Sequence, residues 1–120
     1  MNKAILLLGR ILLALIFLYS GYHKLADPSG PTARLADKGV PLPEILAVAG
    51  AALEILGGLM MGLGYRLRLG AFFLIVFLIP TTLLFHPPTD AGQTTQFLKN
   101  LAILGGLLVV VGADAAELDD

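Results

Sequence analysis

Residues 43–63 read PEILAVAGAALEILGGLMMGL, and this stretch decides the fold. It is twenty-one residues, apolar and small apart from Glu44 at its start and one acid, Glu54, at its middle. At about 1.5 Å of rise per residue, such a run crosses a hydrocarbon core of about 30 Å. A carboxylate at that depth costs several kcal/mol unless it is paired or protonated, so Glu54 marks a candidate functional site.

The rest of the chain agrees with a membrane reading. Of 120 residues, 57% are hydrophobic and 14% charged, with a mean hydropathy of +0.84. An ordinary soluble domain has about 25% charged residues, and too few are present here to build a polar exterior. The expected fold is all-α, an integral membrane four-helix bundle forming one domain over residues 1–120. Net charge is −1, and no basic arm interleaved with aromatics points to nucleic acid. There is no cysteine, which removes disulfides, thiolate metal sites and thiol relays within the chain.

Four spans are expected, at about residues 4–22, 43–63, 67–85 and 97–113. The opening MNKAILLLGRILLALIFLYSGYHK has a longer apolar run than a signal peptide, and no small-x-small site precedes His23-Lys24. It reads as an uncleaved first span. Residues 26–43 are polar and hold four of the seven prolines. A short surface helix from Pro31 to Lys38, stopped by Gly39, competes there with an irregular loop. Gly64-Tyr65-Arg66 is long enough only for a hairpin. Pro80 should kink the third span. The tail from Asp114 is acidic and is expected to fray.

An even number of spans puts both termini on one side. Lys3, Arg10, Arg66 and Arg68 then face Lys24, Arg34, Lys38 and Lys99 across the membrane. The arginine pair in the very short second loop favours cytoplasmic termini. Ile55-Leu56-Gly57-Gly58-Leu59 recurs as Ile103-Leu104-Gly105-Gly106-Leu107. Duplication of a helical hairpin would produce this echo, and so would close helix packing through small-xxx-small pairs.

Two polar groups stand out. Measured from the ends of their spans, Arg10 and Glu54 differ in depth by about 4–5 Å. That predicts an intramembrane Arg10–Glu54 ion pair, read either as a midplane site or as a structural clamp. The alternative is Arg10 snorkelling outward while Glu54 stays protonated. At the opposite end, His23, Lys24, His86, Lys99 and Asn100 should gather around one bundle mouth. Two imidazoles, two ammonium groups and an amide suit an anionic headgroup or a quinone carbonyl. Each also has an ordinary explanation as an interfacial or capping residue. Two histidines alone are a weak metal signal, and no metal is expected. A haem ligand pair would need His23 and His86 to face one another. No other cofactor motif is present in the chain.

The order of these features resembles the DoxX family of small four-span bacterial membrane proteins. The matching residues are Gly9-Arg10, Gly21 and Lys24 in the first span, Gly39-Val40-Pro41 with Pro43, and Glu54 with Gly57-Gly58. Arg66 follows, then Phe85-His86 and Phe97-Leu98-Lys99-Asn100-Leu101-Ala102 leading to Gly105-Gly106. The resemblance covers nearly the whole chain. It implies the bacterial cytoplasmic (inner) membrane and an association with quinone-linked redox systems. It also implies Arg10, Glu54, His86, Lys99 and Asn100 as site residues. The leading expectation is a redox-associated accessory subunit that binds a quinone or lipid-like ligand beside a membrane or redox partner. A non-catalytic scaffold or assembly factor, and a small proton-coupled transporter acting as a homo-oligomer through Glu54, are the alternatives.

Overall fold

A computed structural model describes residues 2–119, with side chains described as far as Asp114. Five α-helices follow one another: α1 (Lys3–Ala26), α2 (Ser29–Asp37), α3 (Pro43–Leu63), α4 (Leu67–Phe85) and α5 (Thr94–Asp119). Four helices, α1, α3, α4 and α5, are long and apolar enough to cross a membrane. The described residues contain no strand.

Local chemistry explains each boundary. Asn2 caps α1 by accepting from the Ala4 and Ile5 N–H groups at 2.9 and 3.2 Å. At the corner after α1, the Ser29 hydroxyl and N–H donate to Asp27, holding its carboxyl below the usual range. The surface helix forms as α2, two residues earlier than expected. It closes with Gly39 at φ 74°, where Gly39 N–H meets Ala36 and Val40 N–H meets Leu35. That is the six-to-one and five-to-two pairing of a Schellman motif, and only glycine takes the left-handed position without strain. Gly64 at φ 76° ends α3 in the same way, with Tyr65 N–H donating to Met60 at 3.0 Å. Arg66, at φ 48°, completes the reversal into α4.

Two boundaries differ from expectation. Helix α1 runs to Ala26 instead of stopping at Tyr22. Helix α5 starts at Thr94 and continues through Asp119 instead of fraying after Ala113. A 3₁₀ turn, Ala91–Gln93, capped by Asp90 through Gly92 N–H at 3.0 Å, leads into it. The last stretch, DAAELD, is made largely of good helix formers. Its side chains beyond Asp114 lie outside those described.

Helix α3 is the hub. On one side it packs against α1, where a Cβ on Gly21 would lie 3.0 Å from the Ala51 carbonyl and 3.1 Å from Glu54 Cβ. A Cβ on Gly58 would lie 3.0 Å from Leu18. On the other side it meets α4, where a Cβ on Gly57 would lie 2.7 Å from Leu74 and 2.9 Å from the Gly70 carbonyl. Small residues thus bring backbones together, as lipid-embedded helices require. Ala14, Phe17, Met61, Ala71, Leu74, Leu78, Leu107 and Val110 form the buried cluster between the helices.

The two Gly-Gly sites are not used alike. Gly57 and Gly58 approach α4 and α1, whereas Gly106 meets Leu13 of α1 and Gly105 faces open space. Packing therefore accounts for Gly57, Gly58 and Gly106 without duplication. These contacts set an expected outcome. Gly57→Ala should lower the thermal midpoint in detergent, through about 1–3 kcal/mol of overpacking. Gly105→Ala should leave it unchanged or raise it, since alanine is the better helix former by about 1 kcal/mol.

Candidate functional site

Glu54 lies eleven residues after Pro43 and nine before Leu63, near the middle of α3. It is 1% exposed. Its partner is Lys24, whose Nζ donates to Oε1 at 2.7 Å. The same ammonium sits 4.6 Å from the centre of the Phe77 ring of α4. One cation thus bridges three helices, satisfied by a carboxylate and by an aromatic face. A lysine in the last turn of a membrane helix ordinarily reaches outward to water. Lys24 instead reaches inward, because a helical side chain leans toward its own N-terminus and Glu54 lies there.

The expected Arg10–Glu54 pair does not form. Helices α1 and α3 are staggered: Gly21 is level with Ala51 and Glu54, Gly58 with Ala14 and Leu18, and Gly64 with Arg10. The first turns of α1 therefore overhang the end of α3. Aligning the two spans by their ends misplaces Arg10 by about two helical turns. Aligning the small residues Ala14 and Gly21 with Gly58 and Ala51 would have found the register. The Arg10 guanidinium lies over the α3–α4 turn, with Nη1 2.6 Å from where a Gly64 Cβ would be.

The five residues expected at the opposite mouth separate into distinct settings. Lys24 is taken up by Glu54. His23 is exposed on α1 and packs edge-on against Tyr19 and Tyr22, with ring centroids 4.4 and 5.6 Å away. This is the aromatic dress of a membrane interface. Lys99 is exposed on α5. Asn100 is buried, donates from Nδ2 to Thr82 Oγ1 at 2.9 Å and accepts from Gln96 at 3.2 Å. Thr82 in turn donates to the Leu78 carbonyl at 2.6 Å, so Asn100 ties α5 to α4.

His86 ends α4 and is half-buried, with Nδ1 2.6 Å from Gln93 Oε1. An amide oxygen only accepts, so Nδ1 carries the proton in this pairing. In the neutral ring Nε2 is then left as an acceptor at the edge of the bundle. The partners Gln93, Gln96, Thr82 and Phe77 escaped the sequence reading. The four-residue spacing of Gln96 and Asn100, and a threonine within an apolar helix, were the available signals. A groove of about 510 Å³ between α2 and α3 also opens at this end. It is lined by Ala33, Ala36, Val48 and their neighbours, and by none of the five expected residues.

Comparison with known proteins gives a consistent result. The family model for DoxX matches residues 5–87. The chain is similar to inner membrane protein YqjF of Escherichia coli (strain K12), 34% identical over 119 residues. That match covers 94% of this chain and 88% of the relative. It is also similar to inner membrane protein YphA of the same organism, 28% identical over 126 residues and covering 98% and 90% of the two chains. No solved structure matches.

The ion pair has a direct test in a double-mutant cycle. Lys24→Met and Glu54→Gln should each destabilise the protein in detergent, Lys24→Met by about 3–5 kcal/mol because it strands a buried charge. The double variant should recover at least about 1 kcal/mol of the sum. Arg10→Ala combined with Glu54→Gln should instead be additive within about 0.5 kcal/mol.

Proposed function

This chain belongs to the DoxX family of membrane proteins, and from that premise we propose that it is an accessory subunit of a redox assembly in the bacterial inner membrane. In this reading it binds a quinone or a lipid-like ligand at the mouth formed where α4 ends and α5 begins. The observation that carries the reading is His86. Gln93 fixes its Nδ1 at 2.6 Å and leaves Nε2 as an acceptor suited to a quinol hydroxyl. Lys99, exposed on the neighbouring helix, supplies a donor for a carbonyl or phenolate oxygen.

The groove at this end does not include His86, so the ligand would be enclosed between this chain and a partner that carries the electron donor. Asn100 contributes indirectly, by tying α5 to α4 through Thr82. The start of α1 and the Asp114 turn of α5 lie at the other end of the bundle, since Lys3 and Asp114 line one cavity there. Arg66 and Arg68 in the short turn at that end support a cytoplasmic placement for it, with the His86 mouth outward.

One observation favours a scaffold as the second reading. Gly105 and Gly112 share an outward stripe of α5 with exposed Leu101 and Leu108, and a Cβ at either glycine would meet nothing within 4 Å. Gly58 and Gly106 pack inside the bundle instead. A partner helix would therefore read Gly105 and Gly112.

Titration with a short-chain ubiquinone, followed through the imidazole resonances of His86, separates the two readings. The accessory-subunit reading expects those signals to shift, and His86→Ala or Gln93→Leu to weaken binding by about tenfold or more. Unmoved signals, together with loss of a membrane complex in Gly105→Leu, would establish the scaffold instead.

A further inference from the structure

The stagger that separates Arg10 from Glu54 leaves an arginine at the termini end of the bundle with an unmet need. Its Nε is buried and has no hydrogen-bond partner among the described residues. An orphaned N–H on a permanently charged group is costly, and such groups are ordinarily satisfied by an anion or by water. Arg10 also lines a cavity of about 250 Å³ with Lys3, Leu6, Leu67, Val110, Ala113 and Asp114.

We propose that this cavity binds a phosphate ester, with Arg10 as the principal ligand and Lys3 as the second cation. Charge favours an anion. Among the described residues Asp114 is the one acid in the lining, and it is paired with Arg68 at 3.4 Å. Among those residues Lys3 and Arg10 have no salt-bridge partner. A guanidinium presents a planar fork of donors that matches two phosphate oxygens, and a lysine adds a point charge.

The walls indicate which phosphate. Leu6, Leu67, Val110 and Ala113 give the cavity an apolar side, while Lys3 is the first residue of α1. A charged rim over an apolar wall at the end of a membrane bundle suits a lipid phosphodiester, whose glycerol and upper acyl chain would lie along those side chains. The same two cations would also hold free phosphate. The site is at the opposite end of the molecule from His86 and stands independently of the ligand proposed there.

Native mass spectrometry of the protein in neutral detergent distinguishes these sources. With added phosphatidylglycerol, one molecule of lipid should be retained per chain, with affinity about tenfold weaker in Arg10→Gln and several-fold weaker in Lys3→Gln. Inorganic phosphate at millimolar concentration should compete weakly if the lipid is the ligand. If free phosphate is the ligand, it should raise the thermal midpoint in the wild type but not in either variant, with no specific lipid retained. Lys3 is exposed, so Lys3→Gln remains informative even if Arg10→Gln does not fold. Equal retention of lipid by the wild type and Lys3→Gln or Arg10→Gln, with no response to phosphate, would overturn the proposal.

Discussion

A carboxylate in the middle of an apolar helix has to be neutralised, and the Lys24–Glu54 contact is how this protein does it. The contact ties α1 to α3 at the register in which Nζ meets Oε1 at 2.7 Å. The glycines then become intelligible. Gly21 lies beside Glu54 and Gly58 beside Leu18, so the backbones close around the carboxylate, which is buried, while Lys24 stays partly exposed. Phe77 of α4 covers the ammonium from a third side. Such a pair adds little net stability compared with well-packed apolar residues, but it penalises every misaligned arrangement. Its contribution is therefore to the choice of one packing over others.

A second polar link repeats the logic more weakly. Thr82 and Asn100 join α4 to α5 through a neutral hydrogen bond, which tolerates displacement better than an ion pair. The bundle is thus a tightly registered trio, α1, α3 and α4, with α5 held along its side. His86 and Gln93 sit where that looser helix begins.

Much of this is legible in the amino-acid sequence. The bounds of α3 and α4 follow from Pro43, Gly64 and His86-Pro87-Pro88, residues whose backbone demands are strong and local. Pro31 and Gly39 offered the surface helix as one of two alternatives to be decided by the fold. The polar side chains were legible as residues but not as pairs. Which cation meets Glu54 depends on helix stagger, a tertiary quantity that the ends of hydrophobic runs do not report. A run of apolar residues says where a helix can lie in a bilayer, and the small residues say how it slides against its neighbour. The overhang of α1, and with it the fate of Arg10, follows from the second kind of information. The pairings of Gln93 and Thr82 were hidden for a simpler reason: a neutral side chain does not name its partner until a fold brings the two within 3 Å.

The placement of the two charges along their own helices also bears on how the chain enters a membrane during synthesis. Lys24 lies in the last turn of α1, where a lone helix lets an ammonium rest among headgroups at little cost. Glu54 has no such refuge, being about 14 Å or more from either end of α3. The chain is made from its N-terminus, so the helix whose charge can wait is already in the bilayer when the helix whose charge cannot wait emerges. Were the order of the two helices reversed, the first to emerge would have to carry a mid-span charge through insertion alone. The order of the partners along the sequence thus suits assembly from one end.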